Sequence, residues 1–380
     1  MNTPPKVLLS AGMIQNGFSG VGRYVIEIAN RIAQMDSIDL YVAGLESDRY
    51  LFSKIKDEKW VEIPDQYSKG IKNLIWHQMM LPGILKRKEC DLLHIPSYRR
   101  ILAKSPIPQL ATIHDCAPFR LRGKYGFWRG LFGRKVVPYL AGKCQHIITV
   151  SEFTKNDISK FFKIKRDSIE VIYNGLDHSA YHPCKLKDIE QFRLNNGLNK
   201  PFFLYVSRLE HPGKNHLRLI EAFERFRHDS KSEIQLILGG AEWHGADVIK
   251  KRVYVSPYSN DILLPGFIDE FKLPLWYASA FALVFPSLIE GFGLPVVEAL
   301  ACGLCVLSSD RGSLPEVGGD VAVYFDPENV DSIYNAMMDR YNESSEDHQR
   351  RLEKGFEHIK QFNWDNAAKQ ICETYINLLL

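Results

Sequence analysis

The segment 284–316 constrains the fold of this chain more than any other part of the sequence. An apolar strand at 281–285 leads into it, and a loop then carries Glu290 into a Gly-Phe-Gly turn. The sequence predicts a helix at 296–301 and a second strand at 305–307. Strand, glycine turn, short helix and strand form a layout that presents backbone N–H groups and a helix N-terminus to a phosphate group.

Two carboxylates stand out in this segment, Glu290 and Glu298, with seven residues between them. One lies in the loop and the other in the helix, so they cannot form an i,i+4 pair. Both can face a ligand over the helix start, where the helix dipole favours a diphosphate. There, Glu298 is well placed to accept hydrogen bonds from two adjacent ribose hydroxyls. The alternative is a structural βαβ unit in which one Glu caps the helix and the other is solvated.

The runs EGFGLPVVEALACG and SLPEVGGDVAVYFDP resemble the E-x7-E signature of the family-4 retaining glycosyltransferases. This resemblance implies an α/β chain with the GT-B fold, in which two Rossmann-like domains face a cleft and the C-terminal helix crosses back to the first domain. It assigns the nucleotide ribose to Glu298. It places Glu290 beside the donor sugar and its phosphates, with a catalytic role. Backbone contacts to the donor are implied for Gly291, Phe292, Gly293 and Leu294.

The expected domain boundaries follow the same resemblance. Residues 1–185 form an acceptor-binding Rossmann-like domain, and residues 200–358 form a domain that binds the nucleotide sugar. Residues 359–380 form a C-terminal helix that packs on the first domain. The mixed segment 178–199 contains the connection between the two domains.

Arg208 and Lys214 follow the apolar strand 201–206 and flank a glycine loop. Such a pair can bind two phosphates, because Arg binds bidentately and Lys acts as a point charge. The alternative is a pair of surface charges. Similarity to the R…GKN element of the family implies contact with the donor diphosphate and a catalytic role for both residues. Phe267 follows the strand that contains LLPG, where the family contacts the nucleobase.

The N-terminal loop contains Gly20 and Gly22 and partly matches a dinucleotide-binding fingerprint. Val25 stands where that fingerprint has its last glycine, which argues against a nicotinamide cofactor. The alternative is that Gly20 and Gly22 let the backbone approach the donor diphosphate. The GGVGRY-like loop of the family lies in a similar position.

His94 and His114 lie at or near the ends of apolar strands, where open α/β sheets bind ligands. The step His114-Asp115 resembles the His-Asp step of the family, in which the histidine lies beside the donor sugar. We therefore expect His114 to be catalytic, either by orienting the sugar or by stabilising charge near the reacting carbon. Asp115 either fixes the loop or faces the acceptor, and His77 is expected to be structural.

Basic and aromatic residues dominate the region from Lys86 to Lys135, which contains twelve Lys and Arg residues and three acids. This composition is typical of a peripheral contact with an anionic membrane. A solvated helix with inward-facing aromatic residues explains it equally well. The loops near Phe18 and 124–132 are the expected acceptor-binding loops.

Composition excludes several classes of protein. A net charge of +3 argues against a protein that coats nucleic acid. The longest uncharged apolar run, 275–289, is shorter than the roughly 20 residues of a membrane span. The first residues lead directly into a strand, so no signal peptide is expected. Seven scattered cysteines indicate reduced thiols and a cytoplasmic protein, at most peripheral at the inner face of the membrane.

The resemblance implies a retaining, metal-independent hexosyltransferase that uses a nucleotide-diphosphate sugar, a saccharide acceptor that is free or lipid-linked, and no cofactor. No Asp-x-Asp motif for a metal is present. The HD, IWHQ and SLPEVGGD segments look most like bacterial mannosyltransferases, which implies GDP-mannose and the synthesis of surface polysaccharide or lipopolysaccharide. A UDP-hexose or UDP-N-acetylhexosamine donor is the alternative. A nucleotide-sugar epimerase and a non-catalytic glycan-binding protein are alternatives of another class.

Overall fold

The computed structural model describes residues 3–17, 19–120 and 130–380, which form two compact units. Unit 1 contains the chain up to Gly175 together with Asn363–Leu380, and unit 2 contains Leu176–Phe362. Each unit is built on its own sheet with flanking helices, so the predicted α/β class is confirmed. The predicted acceptor loops lie partly outside the described residues, since Phe18 and 121–129 are not among them.

The sheet of unit 1 has seven parallel strands. These are β1 (Lys6–Ser10), β2 (Asp39–Leu45), β3 (Trp60–Ile63), β4 (Leu92–Ile95), β5 (Gln109–Ile113), β6 (His146–Thr149) and β7 (Ile169–Val171). Their order across the sheet is β3-β2-β1-β4-β5-β6-β7. The central strands are buried on both faces, as expected for a parallel sheet covered by helices.

The helices of unit 1 are α1 (Gly20–Ile32), α2 (Gly70–Met79), α3 (Leu81–Arg87), α4 (Ala117–Arg120), α5 (Val137–Ala141), α6 (Glu152–Phe162) and the C-terminal α15 (Trp364–Leu379). Helix α1 begins at Gly20, because the Ser19 side chain caps it by accepting a hydrogen bond from the Gly22 backbone N–H. The Ser151 side chain caps α6, accepting a hydrogen bond from the Thr154 backbone N–H at 3.1 Å.

The sheet of unit 2 has six parallel strands. These are β8 (Phe202–Val206), β9 (Gln235–Gly239), β10 (Ile262–Gly266), β11 (Ala282–Phe285), β12 (Val306–Ser309) and β13 (Val323–Phe325). Their order is β10-β9-β8-β11-β12-β13. The helices are α7 (Leu186–Asn195), α8 (His216–Ser230), α9 (Ala246–Tyr254), α10 (Leu273–Ser279), α11 (Leu294–Ala301), α12 (Leu314–Gly318), α13 (Val330–Tyr341) and α14 (Ser345–His358).

Two elements lie in regions that the sequence left without secondary structure. Strand β3 forms the edge of the first sheet within a polar stretch, where Val61 and Ile63 alone face inward. Helix α7 lies in the segment expected to connect the domains, and that segment belongs to unit 2. Helix α7 buries only Phe192, so its apolar periodicity is too weak to detect.

Both sheets reverse their strand order next to the first strand of the unit. In unit 1, β1 lies between β2 and β4, and in unit 2, β8 lies between β9 and β11. Ligands of open α/β sheets bind outside the carboxyl ends of the strands at such a reversal. The loops that follow β8 and β11 therefore define the first place to look for a site in unit 2.

Of the helices that the structure describes, none combines the length and apolar character of a membrane-crossing segment.

Candidate functional site

A half-buried ion pair joins the two loops at the strand reversal of unit 2. The Lys214 Nζ atom, in the loop after β8, lies 2.6 Å from Glu290 Oε1, in the loop after β11. Both side chains keep less than a fifth of their surface in contact with solvent, at 18% and 17%. The structure thus brings together two of the residues that the sequence predicted to be catalytic.

Buried polar groups fix the backbone that carries Lys214. The Tyr205 hydroxyl donates to the Lys214 carbonyl at 2.8 Å, and Tyr205 is fully buried in β8. The Asn215 side-chain amide donates to the carbonyls of Pro286 and Pro327 at 3.1 and 2.7 Å. Since these contacts tie three loops together, Lys214 has a defined position before any ligand arrives.

The Gly-Phe-Gly turn is shaped by close backbone approaches. Gly293 has a φ of 105°, and a Cβ atom there would lie 2.6 Å from Leu314 Cδ2. Any other residue at this position would be strained and would collide with α12. Phe292 buries its ring against Phe362 at a centroid distance of 5.6 Å, so only its backbone is available to contact a ligand.

Ser313 holds this turn in place and is a residue that the sequence did not single out. Its buried hydroxyl lies 2.9 Å from the Phe292 carbonyl oxygen and 3.1 Å from the Glu290 carbonyl oxygen. Gly312 permits this approach, because a Cβ atom there would lie 2.8 Å from the Glu290 carbonyl. Ser313 is the first residue of the SLPEVGGD run, which the sequence analysis did use. Its role in holding the turn depends on a contact with Phe292, 21 residues away in sequence, which the run itself does not reveal.

Helix α11 begins at this turn. Gly293 is its N-cap and supplies no side-chain hydrogen bond, and Pro295 lies in its first turn. Backbone N–H groups at a helix start that no side chain caps are suited to bind a phosphate oxygen. Gly291, Gly293 and Leu294 lie at this start, and their predicted contacts with the donor stay predictions.

Glu298 lies further along α11, half-buried, and its Oε2 atom accepts a hydrogen bond from the Tyr277 hydroxyl at 2.9 Å. Tyr277 comes from α10 and is fully buried. Burial, and then the negative charge of Glu298, raise the pKa of Tyr277 well above its usual value, so the phenol is a permanent donor. The sequence did not identify this partner of Glu298.

Arg208 also follows β8, where its guanidinium lies 3.6 Å from Glu210 Oε2 and 4.8 Å from the ring centre of Trp243. The structure therefore places it against Glu210 and Trp243, while Lys214 contacts Glu290. Phe267 follows β10, and 56% of its surface is exposed. The predicted roles of Arg208 and Phe267 stay predictions.

In unit 1, Gly20 and Gly22 lie in the first turn of α1. A Cβ atom at Gly22 would lie 2.7 Å from the Ile14 carbonyl oxygen. Close packing of the loop on the helix therefore requires a glycine here, whether or not a diphosphate binds. The predicted role of Gly20 and Gly22 in donor binding stays a prediction.

His114 follows β5 and packs edge-on against Tyr24 at a centroid distance of 4.7 Å. Burial lowers its pKa to about 4, although a hydrogen bond to the Pro96 carbonyl opposes this shift. The ring is therefore neutral at pH 7 and gives its single N–H to Pro96. The buried Nε2 atom has no hydrogen-bond partner in the described part of the chain, so it is an unused acceptor.

His94 and His77, the other two histidines considered in the sequence analysis, are structural. His94 is buried between the Tyr375 hydroxyl, at 2.5 Å, and the Thr112 hydroxyl, at 2.8 Å. His77 is buried between the Ser10 hydroxyl and the Asn73 carbonyl. Both rings use both nitrogens, so His94, at the end of its strand, is not available for chemistry.

No group of three His, Cys, Asp or Glu side chains that could hold a metal ion occurs within 3–17, 19–120 and 130–380.

Two family models match the chain. The model described as Glycosyltransferase Family 4 matches residues 18–180, and the model described as Glycosyl transferases group 1 matches residues 187–358. Among curated relatives, O-antigen chain mannosyltransferase B of Escherichia coli is 26% identical over 97% of this chain and 99% of its own. O-antigen chain mannosyltransferase RfbU of Salmonella typhimurium is 25% identical over 84% of this chain and 87% of its own.

Solved structures share the fold over nearly the whole chain. Anabaena HepE in complex with UDP-glucose superposes with a TM-score of 0.78 at 18% identity, over 98% of this chain and 99% of its own. Sucrose-phosphate synthase from Thermosynechococcus elongatus superposes with a TM-score of 0.77 at 18% identity and the same coverage. Two parallel sheets, the matched domain models and these similarities agree. The chain therefore belongs to the family-4 glycosyltransferases and has the GT-B fold, with bacterial mannosyltransferases among the proteins it most resembles.

Proposed function

We propose that this glycosyltransferase is a retaining, metal-independent enzyme that transfers a hexose from a nucleotide-diphosphate sugar to a saccharide acceptor. The observation that carries the proposal is the Lys214–Glu290 contact beside the start of α11. It places a cation, a carboxylate and a helix N-terminus at one strand reversal. Glu298 lies on the same helix, oriented by Tyr277.

In the proposed reaction, the bond between the anomeric carbon and the diphosphate oxygen breaks and the nucleoside diphosphate leaves. The acceptor hydroxyl oxygen bonds to the same face of the anomeric carbon, and its proton passes to the departing diphosphate. Lys214, Arg208 and the backbone N–H groups at the start of α11 stabilise the charge that develops on the leaving group. These groups supply positive charge without a metal ion.

The role of His114 follows from its protonation state. A neutral ring with a pKa of about 4 cannot supply positive charge at pH 7. Its Nε2 atom can accept a hydrogen bond from a hydroxyl group of the substrate. Of the two predicted roles, the structure therefore favours orientation of a sugar over stabilisation of charge.

Mannose from GDP-mannose is the first choice of donor. It is supported by the relatives named as O-antigen mannosyltransferases, which also favour a role in bacterial surface polysaccharide or lipopolysaccharide synthesis. The structural similarity to HepE, a protein solved with UDP-glucose, keeps UDP-hexoses and UDP-N-acetylhexosamines as alternatives. The proposed partners are thus a nucleotide sugar and a saccharide acceptor.

Titration calorimetry with GDP, UDP, ADP and dTDP tests the binding site. We expect one nucleotide to bind, with GDP supporting mannose and UDP supporting the alternative donors. Glu298→Ala should weaken that binding by at least about tenfold, because a hydrogen bond to a charged group contributes roughly 1.5–3 kcal/mol. Glu353→Ala, an exposed site on α14, is the matched control and should bind as the wild type does. Binding of none of the four nucleotides would contradict the proposal.

Transfer from GDP-mannose to a short mannose oligosaccharide tests the reaction. We expect release of GDP that depends on the acceptor, an α-linked product by NMR and an unchanged rate in EDTA. A β-linked product would exclude retention, and loss of activity in EDTA would exclude metal independence. Sugar isomerisation without an acceptor would indicate an epimerase, and nucleotide binding without turnover of any donor would indicate a non-catalytic protein.

A further inference from the structure

The two cations proposed to bind the donor diphosphate each have a carboxylate beside them. Lys214 Nζ lies 2.6 Å from Glu290 Oε1, and the Arg208 guanidinium lies 3.6 Å from Glu210 Oε2. Glu210 is buried, and Glu290 is partly exposed. These four side chains together carry no net charge. A phosphate group at the strand reversal of unit 2 therefore meets cations whose charge is already balanced.

The backbone on both sides keeps Glu290 close to Lys214. The Leu288 N–H donates to the Gly213 carbonyl at 3.0 Å, so the loop after β11 is bonded directly to the loop after β8. The Ser313 hydroxyl bonds to the Glu290 carbonyl oxygen at 3.1 Å. The Glu290 carboxylate is therefore a fixed part of the site, and only rotation of side chains can alter the ion pair.

This geometry places any phosphate that Lys214 binds close to a negative charge. An oxygen that accepts a hydrogen bond from Lys214 Nζ, at about 2.8 Å, lies at most about 5.4 Å from Glu290 Oε1. At that distance two negative charges repel each other strongly in a partly buried site. A carboxylate can only accept hydrogen bonds, and a hydroxyl group can donate one. Glu290 therefore makes a favourable contact with a sugar and an unfavourable one with an ionised phosphate.

The donor and the released nucleotide differ in these two properties. In a nucleotide-diphosphate sugar, the terminal phosphate is esterified to the sugar, which contributes several hydroxyl groups. The free nucleoside diphosphate lacks the sugar and carries about one more negative charge at pH 7, because its terminal phosphate ionises a second time. A fixed carboxylate beside Lys214 therefore disfavours the free diphosphate more than the sugar nucleotide.

We propose that Glu290 selects the nucleotide-sugar donor over the nucleoside diphosphate product, and thereby promotes release of the product after transfer. The inference rests on the proposed function, since it takes Lys214 to bind the donor diphosphate. With the donor, the Glu290 carboxylate accepts a hydrogen bond from a sugar hydroxyl. Once the departing diphosphate has passed the acceptor's proton to solvent, the same carboxylate repels the terminal phosphate and weakens its contact with Lys214.

Titration calorimetry at pH 7 without an acceptor tests this proposal, with GDP and GDP-mannose and in parallel with UDP and UDP-glucose. For the pair that the wild type binds, Glu290→Gln should bind the free diphosphate about tenfold more tightly. It should bind the sugar nucleotide no more tightly, because the weaker hydrogen bond of a neutral amide offsets the relief of repulsion. Glu290→Ala should shift the two affinities in the same directions.

The matched control is Glu224→Gln on α8. Glu224 lies 2.7 Å from Arg252 in an ion pair, and 16% of its side chain is exposed, against 17% for Glu290. It lies roughly 12 Å along the helix axis from the start of α8. Removal of this charge should therefore leave both affinities unchanged. Melting curves verify that each variant is folded.

Two outcomes would overturn this proposal alone. In the first, both Glu290 variants bind the free diphosphate no more tightly than the wild type does. In the second, they gain equally for the free diphosphate and the sugar nucleotide. Failure of the proposed function has a different signature, because the wild type would then bind none of the four nucleotides, or Lys214→Met would bind them as the wild type does. That result would remove the basis of both proposals.

Discussion

The two units have the same strand order around their first strand but opposite chemistry at the strand reversal. In unit 1, the polar groups of the loop after β1 are bonded within the protein. Asn73 donates to the Gly12 carbonyl at 2.9 Å, and Arg100 Nε donates to the Asn73 side-chain oxygen at 2.6 Å. In unit 2, the loop after β8 presents Lys214 to Glu290, and both remain partly exposed. Topology therefore locates a crevice, and the side chains that follow the strand decide whether it binds a ligand.

Glycine serves different purposes in the two units. At Gly12, a Cβ atom would lie 2.7 Å from Ile63 Cδ1 and 3.2 Å from His77, so the missing side chain allows tight packing. At Gly293, the positive φ turns the backbone into α11 and leaves the helix start without a side-chain cap. Glycine therefore permits close packing after β1 in unit 1, and in unit 2 it shapes the turn at the start of α11.

The largest expected effect is the sensitivity of unit 1 to acid. Burial lowers the pKa of His77 to about 4 and that of His94 to about 3. The unfolded chain binds protons on these residues from about pH 6.5 downward and the folded chain does not, so stability falls as the pH drops from about 6.5 towards 4. At pH 5 each histidine should cost about 2 kcal/mol.

Urea unfolding at pH 7 and pH 5, with pulse proteolysis to identify the unit that is cut, measures this effect. Cleavage should appear first in unit 1. Unit 2 contains a buried histidine of this kind, His216, whose pKa burial lowers to about 3, so unit 2 should lose stability too, but less than unit 1. Equal loss of stability in both units would contradict the contrast.

The next largest effect distinguishes the loop after β8, which carries Lys214, from the loop after β1, which is bonded to Asn73. Lys214→Met should lower transfer about a hundredfold to a thousandfold, because it removes the cation that we propose stabilises the leaving group. Its melting temperature should change little. Asn73→Ala in unit 1 should do the reverse, with a stability loss of about 2 kcal/mol and donor affinity retained. Steady-state kinetics and melting curves of both variants test this, and a Lys214 variant with normal turnover would refute the proposed role of the ion pair.

The sequence was sufficient to predict those parts of the site that depend on local pattern. The strand, turn and helix around Glu290 and Glu298 and the α/β class follow from periodicity and from residues close in sequence. The pairing of Lys214 with Glu290 spans 76 residues and was implied only through the common ligand. The contacts of Asn215 span 71 and 112 residues, and no single-sequence pattern encodes them.

Two elements with little buried surface were not predicted from the sequence, for a related reason. Strand β3 and helix α7 bury few side chains, so their patterns were too weak to distinguish from loops. Tyr277 was missed although it lies 21 residues from Glu298, because a tyrosine in an apolar helix is typical of a core residue. Only its hydroxyl contact distinguishes it.

Ser313→Ala tests whether the turn in unit 2 must be held in place. The variant leaves the carbonyls of Glu290 and Phe292 without this buried donor, which should cost about 1–2 kcal/mol of stability and about tenfold in transfer. Ser308→Ala is a matched control, since Ser308 is also fully buried and donates to the Ser309 carbonyl, outside the turn. It should lose stability without losing donor affinity. Equal transfer rates in the two variants would show that transfer does not depend on the hydrogen bonds of Ser313 to the turn.

The smallest expected effect concerns the orientation of Glu298. Tyr277→Phe removes one hydrogen bond, of about 1 kcal/mol, so affinity for the bound nucleoside diphosphate should fall about fivefold. If Glu298 binds the ribose, the ratio between the affinities of GDP and 2′-deoxy-GDP should fall as well, because the carboxylate is no longer held towards the hydroxyls. Tyr205→Phe is the control, since it frees the Lys214 carbonyl and should weaken both nucleotides equally. A Tyr277 variant that weakens both nucleotides equally would show that Tyr277 supports only packing, and the ribose role of Glu298 would then need another test.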